Sequence, residues 1–161
     1  MASARPMPLT ANSLAIVALT LGCIFYGRLI DSLGSGPTFV LGSLLLAGAT
    51  YAFYHSLAAG MDQLVPLYML AGFAVGIVGA VPYVMVNAFP PVVRFSGLSF
   101  SYNVAYAIFG GLTPMLVTLW MKNDVLAPSH YVVSLAGLGF VLGLWLWLRQ
   151  RTRRQVTPQT A

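Results

Sequence analysis

Apolar residues run in long blocks along this chain, and the few charged positions fall between them. No Asp, Glu, Lys or Arg occurs between Arg5 and Arg28, Asp31 and Asp62, Asp62 and Arg94, Arg94 and Lys122, or Asp124 and Arg149. Each interval holds about 20 residues or more, the length an α-helix needs to cross a bilayer core. The pattern predicts five spanning helices near 10–28, 37–59, 63–88, 97–121 and 129–148, with a basic tail over 149–161. Lipid offers the backbone no hydrogen-bond partners, so segments of this length in a membrane are helical. The expected fold class is therefore all-α: a polytopic membrane helix bundle forming a single membrane domain over 1–161.

The breaks between blocks have local causes. Gly34, Gly36 and Pro37 end the first hairpin, and Pro37 suits a first helical turn. Gly60 and Asp62 make the next turn. Pro90 and Pro91 stop the third span, because proline lacks the backbone donor and biases its predecessor away from helix. Asn123, Asp124 and Pro128 form the fourth connection. Pro82 and Pro114 fall inside spans and are expected to kink them.

Composition strengthens the membrane reading. The chain is 58% apolar and 7% charged, against about 25% charged in a soluble domain. Its net charge of +5 comes largely from Arg149, Arg151, Arg153 and Arg154. Beside an apolar span such a cluster marks the cytoplasmic side and touches anionic lipid rather than nucleic acid. Arg28 and Arg94 share that side if all five spans cross, with Arg5 and Lys122 opposite. The expected placement is a plasma (inner) membrane protein, N-terminus outside and C-terminus cytoplasmic. A signal peptide over 1–27 is disfavoured, because no small-x-small cleavage site follows the apolar run. Cys23 is a lone cysteine and forms no intrachain disulfide.

The spans carry small residues at close-packing intervals: Gly72 with Gly76, Gly139 with Gly143, and Gly48 with Ala52. Span three places Gly72, Gly76, Gly79, Tyr83 and Asn87 on one stripe. Span four does the same with Ser99, Asn103, Tyr106, Gly110 and Thr113, flanked by Tyr102 and Phe109. A polar stripe on a membrane helix must face protein or water. Two readings stand: helix–helix hydrogen bonds, such as Asn103 to the third span near Tyr83 or Asn87, or a cavity that holds solute. His55 and His130 are read as interfacial, without neighbours for a metal site or a proton relay. No charged residue sits mid-span to couple an ion. No nucleotide loop, metal cluster or nucleophile–base set is present, so an enzyme is not indicated and no cofactor is expected.

The run Phe89-Pro90, Val93-Arg94, Ser96-Gly97, Ser99, Tyr102-Asn103, Ala107, Phe109-Gly110-Gly111 and Pro114 resembles the major facilitator superfamily. More narrowly it resembles the metabolite:proton symporters, which include carriers of α-ketoglutarate, shikimate, citrate and proline/betaine. In that family this run joins the tenth and eleventh helices. Gly27, Leu29, Asp31, Gly34 and Pro37 are similar to its glycine–aspartate loop between helices eight and nine, on the cytoplasmic face. The resemblance implies an incomplete C-terminal half of a major facilitator fold, helices eight to twelve. It implies substrate-cavity candidates Tyr83, Tyr102, Asn103, Tyr106 and Phe109, and a cytoplasmic gate loop of Gly27, Arg28, Asp31, Gly34 and Arg94. Asp31 is expected to accept hydrogen bonds from a neighbouring helix end or from Arg28. Ser32, Ser35 and Gly36 stand where family members carry basic residues, which implies a weakened cytoplasmic latch.

The family's transport route runs between two six-helix halves, and its first seven helices have no counterpart here. The expectation is a partial secondary active transporter, in full-length form a proton-coupled importer of a small organic acid or osmolyte, not competent alone. Its partners would be the solute, the proton and a separate chain supplying the missing helices. The alternative is a small membrane interaction protein derived from a transporter and without transport activity. A self-assembling channel is a third reading, disfavoured because no ring of charges suggests selectivity.

Overall fold

The computed structural model describes residues 9–60 and 64–156; Arg5, Asp62 and the end of the basic tail, 157–161, lie outside the described residues. Five helices among them are long and apolar enough to cross a membrane. They are α1 (Leu9–Leu33), α2 (Ser35–Ala58), α3 (Leu64–Ala88), α4 (Arg94–Met121) and α5 (Ala127–Val156). The chain is a multi-pass helical membrane protein.

Two boundaries differ from the sequence reading. Helix α1 runs through Gly27, Arg28 and Asp31 to Leu33, so the turn into α2 reduces to Gly34. That residue adopts φ 88°, a left-handed conformation that glycine alone takes without strain. Pro37 falls one turn inside α2, within the first helical positions whose N–H groups lack intrahelical partners anyway. Helix α5 continues to Val156, 30 residues in all, or about 45 Å. Arg149 and Arg151 therefore ride on a helix that outreaches the bilayer core. Their guanidinium groups lie over the rings of Trp145 and Trp147, at 5.2 and 4.8 Å.

Each intraspan proline is preceded by a local departure from α-helical geometry. Pro82 would press its ring on the carbonyl four residues earlier. The chain responds with a 3-10 segment over Gly76–Ala80, and the α-helix restarts at Val81. Pro114 is preceded by a π-helical turn over Tyr106–Gly110. A widened turn absorbs the hydrogen bond that Pro114 cannot donate.

Packing is built on close backbone approach. A Cβ on Gly72 would stand 2.6 Å from the Ala15 carbonyl oxygen, and one on Gly76 2.5 Å from the Gly22 carbonyl carbon, so α1 and α3 meet there. Gly143 and Gly139 do the same between α5 and α2, at 2.8 Å from the Val40 nitrogen and 2.7 Å from Ser43 Oγ. The third pair does not close: nothing lies within 4 Å of a Cβ on Gly48. Spacing alone cannot say which face of a helix meets protein. Helix α1 contributes Ala11, Ala15, Ala18, Gly22, Tyr26 and Ile30 to the interior, a stripe at helical intervals. Tyr26 and Ile30 pack with Ile77 and Ala80 of α3, and Phe39 and Leu46 of α2 border them. At the other end, Phe53 of α2 stacks on Tyr68 of α3 at 5.2 Å. The Tyr68 hydroxyl donates to Asn12 Oδ1 of α1 at 3.1 Å.

Helix α4 stands apart from this arrangement. None of its most apolar 18-residue stretch is buried. The Thr113 and Tyr131 hydroxyls share a hydrogen bond of 2.6 Å that fastens α4 to α5.

Candidate functional site

The loop that feeds α4 is closed by its own residues. Pro90 and Pro91 cannot continue α3, and the chain turns with Val93 N–H donating to the Pro90 carbonyl at 3.2 Å. The Phe89 ring folds over Gly97, where a Cβ would come within 2.7 Å of it. Arg94 Nε donates to the Phe89 carbonyl at 3.4 Å, a weak bond by length. The Phe-Pro…Arg…Ser-Gly run thus makes one compact turn, and Gly97 is there because Phe89 needs its bare face.

Beyond that turn, α4 and α5 border an open groove of about 470 Å³. Tyr106, Phe109, Thr113 and Pro114 line it from α4, and Tyr131 and Leu135 from α5. The π-helical turn contributes Tyr106 and Phe109, and its wider backbone re-aims them relative to an ideal helix. Both rings remain more than half exposed, at 61% and 60%. The lining is aromatic and apolar, with polar tips at Tyr106, Tyr131 and Thr113 and no charged group.

The other cavity candidates divide. Tyr102 lies against Tyr106 in a tilted pair with ring centroids 4.8 Å apart and hydroxyls 3.5 Å apart, extending the aromatic surface by one turn. Asn103 Nδ2 donates to the Ser99 carbonyl of its own helix at 2.8 Å. It makes no bond to Tyr83 or Asn87, the helix–helix partners that the sequence left open; Asn87 Nδ2 donates instead to the Tyr83 carbonyl. The Asn103 amide stays on an exposed surface of α4, where it bonds as a residue four positions on can. Tyr83 lines a second cavity, about 420 Å³, between the ends of α3 and α5 and the start of α2. Span three's stripe is thus split, with Gly72 and Gly76 packing on α1 while Tyr83 and Asn87 open onto this second space.

The gate-loop candidates gather at one end. Gly27, Arg28 and Asp31 lie on the last turns of α1, with Arg28 and Asp31 exposed. Gly34 and Ser35 dock on α5, where Gln150 Nε2 donates to Ser35 Oγ at 2.9 Å and Gln150 Oε1 lies close to Gly34. Gly36 sits against the Trp147 backbone, where a Cβ would come within 2.5 Å of its nitrogen. Among the described residues, the one contact between an acidic side chain and a basic or imidazole side chain lies elsewhere. His130 Nδ1 lies 3.0 Å from Asp124 Oδ2 at the opposite end, while Asp124 Oδ1 accepts the Leu126 N–H at 2.8 Å. Asp124 thereby forms an Asx turn just ahead of α5. No group of His, Cys, Asp and Glu able to hold a metal occurs among the described residues.

Tyr131 and Gln150 were not singled out by sequence reasoning. Tyr131 carries a signal only in retrospect, as a polar-tipped aromatic one turn inside an apolar helix. Gln150 sits among arginines, and the pattern gives no hint that it reaches α2, 115 positions earlier.

No protein-family model and no solved structure matches the chain. Among curated proteins it is 27% identical over 140 residues to a proline/betaine transporter of Salmonella typhimurium. It is 29% identical over 143 residues to the glycine betaine/proline/ectoine/pipecolic acid transporter OusA of Dickeya dadantii. The alignments cover 81% and 83% of this chain but 28% of each relative, so the chain spans little more than a quarter of their length. The similarity supports a transporter-family origin for this multi-pass membrane protein.

Proposed function

We propose that the chain is the C-terminal portion, helices eight to twelve, of a major facilitator secondary transporter of the metabolite:proton symporter group. Together with the rest of that fold, it carries a small zwitterionic osmolyte. The tail faces the cytoplasm and the N-terminus lies outside.

The observation that carries this reading is the cavity between α4 and α5. Tyr106, Phe109 and Tyr131 border it, and it holds no charge. Aromatic faces attract quaternary ammonium groups, so such a lining suits the cationic head of a betaine without demanding a net-charged solute. The relatives named for betaine and proline point the same way. No acidic residue lies mid-span, so in this reading the coupling group belongs to helices outside this sequence.

The test supplies the missing helices in trans and measures glycine betaine uptake together with protein abundance. Phe109→Ala should raise KM about 2- to 30-fold, the worth of one cation–π face. Tyr106→Phe should lower uptake at normal abundance, whereas Asn103→Ala, outside the lining and bonded to its own helix, should leave it near the parent. Intact uptake in both Phe109→Ala and Tyr106→Phe defeats the cavity role, and loss of abundance alone makes the residues helix-packing contacts.

A further inference from the structure

The second cavity lies away from Tyr106 and Phe109, and its chemistry is different. It occupies about 420 Å³ at the arginine-rich end of the bundle, between the start of α2, the end of α3 and the last turns of α5. Its polar lining is Ser35, Tyr83, Asn87, Arg149 and Gln150, with the Trp145 ring as one wall. None of its lining residues is acidic.

The hydrogen bonds already made leave this lining rich in donors. Gln150 Nε2 donates to Ser35 Oγ at 2.9 Å, which frees the Ser35 hydroxyl proton for another acceptor. Ser35 is 7% exposed, so that hydroxyl is held by the fold rather than by solvent. Asn87 Nδ2 donates one proton to the Tyr83 carbonyl at 2.8 Å and retains a second. The Tyr83 hydroxyl adds a third neutral donor. Arg149 supplies the charge, and its guanidinium is steadied over Trp145 at 5.2 Å. Arg151 is turned instead to Trp147 at 4.8 Å and does not line the cavity.

A guanidinium and several hydroxyl or amide donors converging without a carboxylate form an acceptor-seeking site. A phosphate group, with its anionic oxygens, matches that set. The height of the cavity, at the helix ends beside an apolar wall, places the group where lipid headgroups sit. We propose that this cavity binds a phosphate anion, presented as the headgroup of an anionic phospholipid whose chains lie along α3 and α5.

The full chain, purified in phosphatidylcholine-containing micelles, is titrated with phosphatidylglycerol and the retained lipid is counted by native mass spectrometry. A second arm adds inorganic phosphate at equal anion concentration. Phosphatidylglycerol should be retained over phosphatidylcholine. Arg149→Gln should weaken retention about tenfold, the worth of a charged hydrogen bond. Tyr83→Phe should weaken it by a smaller factor, and Arg151→Gln should leave it within about twofold of the parent. Arg149 and Arg151 are both exposed, so neither change disturbs the interior. Displacement of the lipid by inorganic phosphate keeps the anion site and transfers it to a soluble source. Equal losses in Arg149→Gln and Arg151→Gln, or equal retention of the two lipids, overturn the proposal in favour of diffuse surface attraction.

Discussion

Gly76→Ala probes what holds the bundle together. The added methyl would stand 2.5 Å from the Gly22 carbonyl carbon and 2.7 Å from both the Gly22 Cα and the Cys23 nitrogen. Ordinary contact begins at 3.4 Å, and all three obstacles are backbone, so α1 and α3 must separate by about 0.9 Å. A gap of 0.5–1 Å forfeits roughly a quarter to a half of each atom-pair attraction along the seam. In lipid no hydrophobic term opposes the separation, because the chains are as apolar as the side chains they replace. The expected cost is about 1–3 kcal/mol, as for overpacking a filled core. Cys23, the one cysteine of the chain, lies on this seam and reports its opening; its Sγ is 3.2 Å from where a Gly79 Cβ would be. Thiol labelling in micelles should therefore accelerate about tenfold for each 1.4 kcal/mol lost. Gly48→Ala is the reference, since its methyl meets nothing within 4 Å. If both variants label at the parent rate, close backbone packing is not what holds α1 to α3.

Three further outcomes follow from other contacts. A double-mutant cycle of Thr113→Val and Tyr131→Phe should show a coupling of about 0.5–1.5 kcal/mol in unfolding titrations, because their 2.6 Å bond fastens α4 to α5; a coupling near zero removes that tether. Asp124→Ala should destabilise the chain by about 1 kcal/mol, the usual net worth of a hydrogen bond, whereas Asp31→Ala, exposed on α1, should change melting little; equal effects would deny Asp124 its role in the turn before α5. A C-terminal reporter active only in the cytoplasm should work and one active only outside should stay silent, given Arg28, Arg94, Arg149 and Arg151 at one end; the reverse pattern would invert the proposed orientation.

Much of the architecture was legible in residue order. Five uncharged intervals bounded by arginines, aspartates and a lysine dictated five spans, because a charge mid-bilayer is costly and an unpaired backbone in lipid is worse. Pro82 and Pro114 fixed where helices deform, since a missing N–H acts within one turn. What the sequence left open was which faces meet. Gly72–Gly76 and Gly139–Gly143 close on neighbours while Gly48 does not, although all three pairs share one spacing; a small residue permits approach but does not supply the partner. The hairpin after α1 shrank to Gly34, because helical hydrogen bonds carry the backbone through Gly27, Arg28 and Asp31 and only a left-handed residue ends them. The polar stripes looked equivalent along spans three and four. Tertiary structure gave Asn103 to its own backbone, Tyr83 to the arginine-rich end, and Tyr106 and Phe109 to a cavity completed by Tyr131. A period of 3.6 residues tells which side chains share a face. Only the crossing of helices far apart in the chain decides what that face touches.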